Sequence, residues 1–358
     1  MSRKMARGTV INGSLPLLPV QEAEAMLQPW EDDQPVLFFS DERERLQHMK
    51  GQTTNGNRDN LTRTSRYLNF YRKHPEIHWA FLAHMVSRNA GYYMTDLRGS
   101  LLSNVLPKGV QEDFFSFLET CNAAIFEDAY PQLMLYEEWK EKGSFHWGLL
   151  SKLQVSSFMK PFWQAFFKSG DSNLLTTALI INEQMLIENR IVSQWMGQKE
   201  LTRWLFTLQD SLGFTSILFP YGEEPSLSLA GDTIYGFDDV HARIVAGKKL
   251  YRILFHPHIH QSSLRYALIR RHTASRQDYW PRVYSNDPTS IRTLYSPRLV
   301  DVWPDATRLP YPSREWYKGD PSEIKEHLLS IPPPGSFTLT KRWKRTVSGL
   351  IKSASKKH

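Results

Sequence analysis

One strongly apolar helical stretch carries polar side chains that could perform acid–base chemistry. Residues 174–195 are dominated by aliphatic side chains, and Asn182, Glu183, Gln184 and Glu188 interrupt them. On a helix, Gln184 and Glu188 share one side, whereas Asn182 and Glu183 lie about 100° apart. An ionised carboxylate in an apolar interior needs a cation, a metal or several hydrogen-bond donors. We therefore predict Glu183 or Glu188 as a catalytic acid or base.

A second apolar helix, predicted over residues 75–90, carries another set of polar groups. His78 and Asn89 fall on one helical stripe, and His84 and Arg88 share another. Each buried polar group without a partner costs on the order of 1–3 kcal/mol. The pattern therefore indicates either a hydrogen-bonded network that fixes the helix register or a site in which His78 is a catalytic group.

A loop-like stretch starting at His272 groups a base, hydroxyls, a guanidinium, a carboxylate and aromatic rings. Ser275 and Arg276 could hold a phosphate or carboxylate, and Trp280 could stack on a sugar or base. The alternative is structural, with Arg276 and Asp278 forming a pair that fixes the following segment. Loops that present such groups often bind ligands.

Established catalytic motifs are absent, including the phosphate-binding loop, the dinucleotide fingerprint and the His-Glu-x-x-His zinc motif. The Glu-x-x-His pairs of helical metal sites are also missing. Alternate histidines in His256-Pro-His-Ile-His260 could bind zinc on a strand, but Pro257 favours a surface turn. Cys121 is typical of a core thiol. We predict no metal site, and the cofactor stays unknown.

The end of the chain has the pattern of a short basic amphipathic helix. Trp343, Val347, Leu350 and Ile351 follow helical spacing. The basic residues around its start are Lys341, Arg342, Lys344 and Arg345. This pattern favours binding to an anionic membrane surface, with nucleic-acid phosphates and docking on the protein body as alternatives.

Charge and cysteine content exclude several classes of protein. The chain has 358 residues, with 44 basic and 37 acidic side chains and one cysteine. Residues 341–358 hold seven Lys or Arg and no acid, so the rest of the chain is neutral and gives no sign of a nucleic-acid-binding face. One cysteine excludes a disulfide scaffold.

The sequence also predicts where the protein resides. The basic N-terminus lacks the apolar stretch of a signal peptide, and no run reaches the ~18 apolar residues of a membrane span. We predict a cytoplasmic protein, attached to the inner face of the cell membrane if the tail is functional.

Helices are the elements that must position these groups. Helical spacing predicts helices over residues 75–90, 112–142, 155–168, 174–195, 199–212, 238–255 and 262–271. Thr62 is the predicted cap of a preceding helix, Gly91 the end of the helix that starts at residue 75, and Pro131 a kink or break. Strands are possible only at 36–39 or 217–219, so the class is all-α.

The chain divides by composition into four parts. We predict a partly helical segment over 1–59 and a single large multi-helix domain over 60–285. Ten of the 21 prolines lie between Pro281 and Pro334, together with several aromatic residues. We therefore expect residues 286–335 to be an extended segment docked on the helices, and 336–358 to be the tail.

Three stretches resemble a known family. They are Asn60-Leu-Thr-Arg-Thr with His74-Pro-Glu-Ile-His-Trp-Ala-Phe-Leu-Ala-His, Leu175-Thr-Thr-Ala-Leu-Ile-Ile-Asn-Glu-Gln-Met-Leu-Ile-Glu, and His272-Thr-Ala-Ser-Arg-Gln-Asp-Tyr-Trp-Pro. Together they look like the YppC-like family of Bacillus-type bacteria, over about residues 60–285. Ala274 stands where the family pattern has glycine. The family's domain has no known function, so the resemblance implies no activity.

Two hypotheses follow. In the first, segments 74–96, 182–188 and 272–280 form a pocket for a small anionic ligand, and the protein is a binding protein or an enzyme. The predicted ligand-binding residues are His84, Arg88, Asn89, Asp96, Asn182, Gln184, His272, Ser275, Arg276, Asp278 and Trp280. In the second, a non-catalytic protein is recruited to a membrane by its tail.

Overall fold

The computed structural model describes residues 40–100, 102–143, 145–195, 216–223, 227–234, 236, 238–312, 315–320, 322, 324–329, 337–341, 343 and 345. These residues are mostly helical, with two small two-stranded sheets. The all-α prediction therefore describes most of this part of the chain, but the fold class did not include the sheets, of which only the possible strand at 217–219 was expected. The predicted strand at 36–39 and helix at 199–212 lie outside the described residues.

The helices are numbered in chain order. They are α1 (Ser40–Gly56), α2 (Asn60–Lys73), α3 (His78–Asp96), α4 (Lys108–Lys142), α5 (Gly148–Lys152), α6 (Met159–Ser169), α7 (Ser172–Ile187), α8 (Ser193–Trp195), α9 (Val240–Leu254), α10 (Pro257–Ile269) and α11 (Leu299–Val302). A π-helix (Glu188–Val192) joins α7 to α8, and short 3₁₀ helices lie at Arg276–Asp278 and Lys325–Leu328.

Helix α3 lies at the centre of the molecule. It contacts α2, α4, α7, α9, α11 and strand β1 (Ser216–Tyr221). Its sequence has no polar face, and a helix that is apolar all round is stable only when it is surrounded by protein. The predicted burial of this helix is confirmed. Its predicted end at Gly91 is wrong, because α3 continues to Asp96.

Gly91 is a site of close approach inside α3. A methyl group there would lie 2.5 Å from Asn60 Oδ1 and 2.7 Å from His272 Nε2. The glycine therefore lets α2 and the loop at residue 272 pack directly against the helix backbone.

Three local predictions need correction. The side chain that caps α2 is Asp59, which accepts from the Thr62 amide at 2.7 Å, instead of Thr62. Helix α4 continues through Pro131, so of the predicted kink or break the break is wrong. The histidine motif at residue 256 is no loop, because α10 begins at Pro257, where a proline suits the first helical position.

Strands β1 and β2 (Ser228–Thr233) form an antiparallel pair at the predicted strand position 217–219. Gly231 has a φ of 155°, and a Cβ atom there would meet the Ile217 carbonyl oxygen at 1.8 Å. Only glycine therefore permits this pairing. A second pair, β3 (Tyr284–Ser285) and β4 (Leu294–Tyr295), is parallel.

A segment near the C-terminus lies along the outer edge of β2. The Gly231 amide donates to the Phe337 carbonyl at 2.8 Å, and the Leu339 amide donates to the Leu229 carbonyl at 2.8 Å. The Leu229 amide donates to Thr340 Oγ1 at 2.7 Å. The edge of β2 is thus covered by the protein's own chain, which satisfies its backbone groups.

Aromatic side chains of the proline-rich segment contact the helices. Trp303 stacks on Phe115 of α4 with ring centroids 4.1 Å apart, and Trp316 contacts Phe158 at 5.0 Å. Among the described helices, none combines the length and hydropathy that a membrane crossing requires.

Candidate ligand-binding cavity

A cavity of about 240 Å³ lies beside the central helix α3. Its walls come from α2, α3, α4, α7, α9, Ile217 of β1 and Ile234. Most of the lining side chains are apolar, and five are aromatic: Tyr67, Trp79, Tyr93, Phe114 and Phe117. An apolar cavity of ~150 Å³ accepts a benzene-sized molecule, so this one has room for a somewhat larger ligand.

Glu183 on α7 is the carboxylate in the cavity wall. Its Oε2 accepts from Trp79 Nε1 at 3.1 Å, and its Oε1 accepts from Gln184 Nε2 at 3.2 Å. Burial raises the pKa of this carboxyl to about 7, and the neighbouring Asp128 carboxylate acts in the same direction. Glu183 therefore changes its charge near neutral pH.

The second polar group at this end of the cavity is an ion pair. Arg243 of α9 pairs with Glu188 at the start of the π-helix, and its Nε donates to Gln184 Oε1 at 3.1 Å. Gln184 and Glu188 lie four residues apart on the same side of the helix, so both reach Arg243, and the π-helix begins at Glu188. π-Helical turns are rare in proteins, and those that occur are often found at functional sites. Glu188 is thus paired with Arg243, a residue that the sequence analysis did not identify as its partner.

A tyrosine hydroxyl beside the cavity lacks a partner. Tyr67 is 3% exposed, and its hydroxyl forms no hydrogen bond within the described structure. Its pKa is raised above the ordinary value by burial and by nearby charges that include Glu183. A buried hydroxyl without a partner is costly, so this group marks a place where a ligand or water atom would bind.

Cys121 also lines the cavity. Burial raises the pKa of its thiol to about 12, so the thiol is neutral at physiological pH. The predicted description of Cys121 as a core thiol agrees with this environment.

Asn182 faces away from the cavity into a buried network. Its amide donates to Asp128 Oδ2 at 2.6 Å, and its Oδ1 accepts from Trp316 Nε1 at 2.9 Å. Gln132 also donates to Asp128 Oδ2, at 2.8 Å. Burial raises the pKa of Asp128 to about 7. Asn182 therefore links α4, α7 and the proline-rich segment, and it does not line the cavity.

His78 lies outside the cavity lining. Its Nδ1 donates to the Tyr251 hydroxyl at 2.8 Å, because that hydroxyl itself donates to Asn173 at 2.7 Å. The His78 ring stacks on Phe255 with centroids 4.3 Å apart. Burial lowers the pKa of His78 to about 3, so the ring is neutral. The geometry is that of a hydrogen-bonded core histidine.

Arg88 and His84 face the opposite side of α3, where the loop at residue 272 packs. Arg88 donates to the Arg270 carbonyl at 2.9 Å and to the Tyr266 hydroxyl at 3.2 Å, and it lies 3.7 Å from Asp278. His84 Nδ1 donates to the Thr64 carbonyl at 2.8 Å, and burial holds its pKa well below the ordinary value.

The loop from His272 is held by its own polar groups and by α2. Asp278 accepts from the Thr273 amide at 2.9 Å and hydroxyl at 2.6 Å. His272 Nε2 hydrogen-bonds Asn60 Oδ1 at 3.0 Å, and burial lowers the pKa of this histidine to about 4. Ala274 adopts a φ of 66°, the left-handed conformation that glycine adopts without strain.

Arg276 forms the structural ion pair of this region, with Asp96 instead of Asp278. Its guanidinium nitrogens lie 2.6–2.9 Å from the Asp96 carboxylate, and both residues are 1% exposed. Ser275 donates to the Ser296 carbonyl at 2.6 Å. Trp280 is buried at 9% exposure. These groups join the loop to α3 and to the segment after it.

The three predicted polar segments therefore do not converge. Glu183 and Gln184 line the cavity on one side of α3, whereas Arg88, Asp96 and the 272–280 loop lie on the other. Asn89 binds both the amide and the carbonyl of Leu218, each at 2.9 Å, and so attaches β1 to α3. In the described residues, no group of three potential metal ligands comes together.

The described part of the tail begins as a docked segment. Trp343 is 5% exposed, and the Arg276 guanidinium lies 5.0 Å from its ring centroid. Lys341 and Arg345 are exposed, whereas the side chains of Arg342 and Lys344 lie outside the described residues. Of the three alternatives for the tail, the burial of Trp343 favours docking on the protein body for this residue.

The comparisons with known proteins agree with the resemblance seen in the sequence. The family model "Protein of unknown function (DUF2515)" matches residues 55–326. The chain belongs to the DUF2515 family. It is 38% identical to the uncharacterised protein YppC of Bacillus subtilis (strain 168) over 280 residues, which cover 77% of this chain and 84% of that protein. No solved structure matched the chain.

The match to DUF2515 includes every element that lines the cavity, from Tyr67 to Leu250. Sequence reasoning missed Tyr67, Trp79 and Arg243 as members of the site. Tyr67 and Trp79 lie on predicted helices, where aromatic residues are more often part of a core. Arg243 lies on an amphipathic helix and gives no local signal. Glu183 was predicted because it is a carboxylate within an apolar helix, and in the structure it lines the cavity.

Proposed function

We propose that this DUF2515 protein binds a small, largely apolar molecule in the cavity beside α3, with a polar group of the ligand at Glu183. The observation that carries the proposal is a carboxyl group at the wall of an apolar, aromatic cavity, next to the unpartnered Tyr67 hydroxyl. Pockets for small ligands combine mostly apolar walls with a few placed polar groups.

The small anionic ligand expected from the sequence has less support. Arg88 and Arg276, the predicted anion-binding groups, are each 1% exposed and donate to acceptors of the protein. Arg243 is the guanidinium in the cavity wall, and it already pairs with Glu188. An anion would have to displace these contacts, whereas an apolar molecule would not.

A second candidate function is acid–base catalysis on the bound molecule. Burial raises the pKa of Glu183 to about 7, and a general acid or base is most effective when its pKa lies near the working pH. This carboxyl group would then exchange a proton with a ligand atom near Trp79.

The alternative, recruitment to an anionic membrane by the tail, is supported by the exposure of Lys341 and Arg345. Each basic residue near such a surface contributes about 1 kcal/mol. Trp343, the first residue of the tail's apolar stripe, is buried, so in this conformation its side chain is not available to insert into a membrane.

The cavity proposal is tested by filling the cavity. Ala90 of α3 lines it, so Ala90→Phe places a ring in the space that the ligand would occupy. We expect 2-phenylethanol to raise the melting temperature of the wild type and to have no effect on Ala90→Phe. Ala90→Leu serves as a milder variant if the larger ring destabilises the fold.

The control is Ala165→Phe, the same change on α6 outside the cavity lining. It should respond to the probe as the wild type does. Equal melting-temperature shifts in all variants would contradict the cavity as the binding site.

A further inference from the structure

The charges around the cavity are unbalanced. Arg243 is compensated by Glu188, whereas Glu183 has no cationic partner among the described residues. The groups that face Glu183 are the Trp79 indole, the Gln184 amide, the Asp128 carboxylate and the Tyr67 hydroxyl. Arg63, which acts on Tyr67, is itself paired with Glu119. Ionised Glu183 therefore leaves this end of the cavity negative, and a cation would compensate it.

Aromatic rings stand directly beside this carboxylate. Trp79 donates its indole N–H to Glu183, and the same ring packs edge-to-face on Tyr67 with centroids 5.4 Å apart. Ammonium groups are attracted to the faces of such rings, and the attraction is stronger when water is excluded. The unpartnered Tyr67 oxygen is available as a further acceptor for an N–H group.

An anionic group fits this end of the cavity poorly. The donors Trp79 and Gln184 are already used by Glu183, and Arg243 donates to Gln184 and Glu188. An anionic acceptor could take a hydrogen bond from the Tyr67 hydroxyl, but repulsion from the ionised Glu183 carboxylate beside it would weaken its binding.

We propose that the ligand is an organic amine, with its ammonium group paired to Glu183 and its apolar part between Tyr67, Trp79 and the other aromatic walls. This inference rests on the proposed cavity function and specifies its ligand class. Binding is non-covalent. Below neutral pH, the ammonium group displaces the proton of Glu183 to solvent.

The test compares three probes of similar shape and different charge by isothermal titration calorimetry. They are 2-phenylethylamine, the neutral 2-phenylethanol and the anionic 3-phenylpropanoate. At pH 8 we expect the amine to bind at least about tenfold more tightly than the alcohol, since Glu183 is then ionised. At pH 5.5 this ratio should fall, because the amine must first remove the proton from Glu183.

Glu183→Gln keeps the shape of the side chain and removes its charge. In this variant the amine and the alcohol should bind about equally at both pH values. Glu141→Gln, the same change at an exposed position of α4, should retain the wild-type preference for the amine.

The outcomes separate this inference from the cavity function. If the alcohol or the carboxylate binds as tightly as the amine at pH 8, the amine inference is overturned and the cavity function stands. If none of the three probes binds at millimolar concentration, both are overturned. A preference for the amine that persists in Glu183→Gln would also overturn the inference, because the charge would then act elsewhere.

Discussion

At the residue scale, Glu183 is a carboxyl group placed where its charged form is costly. Glu183 accepts hydrogen bonds from Trp79 and Gln184 and has no cationic partner among the described residues. The effect of burial therefore outweighs that of the two hydrogen bonds and raises its pKa to about 7. Several buried charges of this protein are paired with an opposite charge, as Arg276 is with Asp96 and Arg63 with Glu119. What distinguishes Glu183 is its place in the wall of an apolar cavity, which makes it a candidate for a functional role.

The pKa of Glu183 makes a prediction about stability. Because the pKa of Glu183 in the folded state lies above the ordinary 4.5, folding takes up a proton between about pH 4.5 and pH 7. Glu183 therefore reduces the free energy of unfolding as the pH rises through this window. Relative to the wild type, Glu183→Gln should gain roughly 1–2 kcal/mol more stability at pH 8 than at pH 5, allowing for its partial exposure to the cavity.

Urea unfolding of wild type, Glu183→Gln and the control Glu141→Gln at both pH values measures this difference. Asp128, whose pKa is also raised, is present in all three proteins, so its contribution cancels to first order. A gain for Glu183→Gln that is the same at pH 5 and pH 8 would show that Glu183 does not titrate in this range.

At the element scale, α3 separates two polar regions. One side lines the cavity with Trp79 and Ala90, and the other carries Arg88 and Asp96 against the 272–280 loop. The sequence could predict that this helix is buried, because it lacks a polar face. It could not predict which partner each polar residue meets, because that depends on the arrangement of helices distant in sequence.

Gly91 shows why a local signal failed. Glycine is common just after a helix ends, so the sequence favoured a helix end there. Packing decides otherwise, since Asn60 and His272 occupy the space that a side chain would need. Arg243 illustrates the opposite case, because its partners Gln184 and Glu188 lie on a helix more than 50 residues away in sequence.

Two glycine substitutions test this packing. Gly91→Ala should lower the free energy of unfolding by about 1–3 kcal/mol, because its methyl group clashes with Asn60 and His272. Gly51→Ala is the matched control on the exposed side of α1, where no atom lies within 4 Å of the new methyl group. It should raise stability by up to about 1 kcal/mol through helix propensity. Stabilisation by both substitutions would contradict the close packing at Gly91.

At the scale of the whole molecule, the C-terminal segment is part of the folded body. Residues 337–340 cover the edge of β2, and Trp343 packs over the buried Arg276. The amphipathic pattern of the tail identified Trp343 as an apolar contact residue. The pattern does not show whether Trp343 contacts a membrane or the protein body, because either surface would bind the same apolar stripe.

Substitution of Trp343 distinguishes these two surfaces. If Trp343 is docked, Trp343→Ala should reduce the free energy of unfolding by about 3 kcal/mol. Lys341→Ala, an exposed neighbour, should change it by less than about 0.5 kcal/mol. Urea unfolding measures both, and sedimentation with anionic vesicles measures surface binding. Unchanged stability together with lost vesicle binding in Trp343→Ala would favour the membrane function instead.

We propose that this DUF2515 protein carries a small molecule in the cavity beside α3. Native mass spectrometry of untagged protein purified from the cells that produce it tests this claim most directly, with wild type and Ala90→Phe prepared in parallel. We predict a discrete non-covalent adduct on the wild type that disappears on mild activation and is absent from Ala90→Phe. Identical spectra for the two proteins, with no adduct or with the same adduct on both, would contradict the claim.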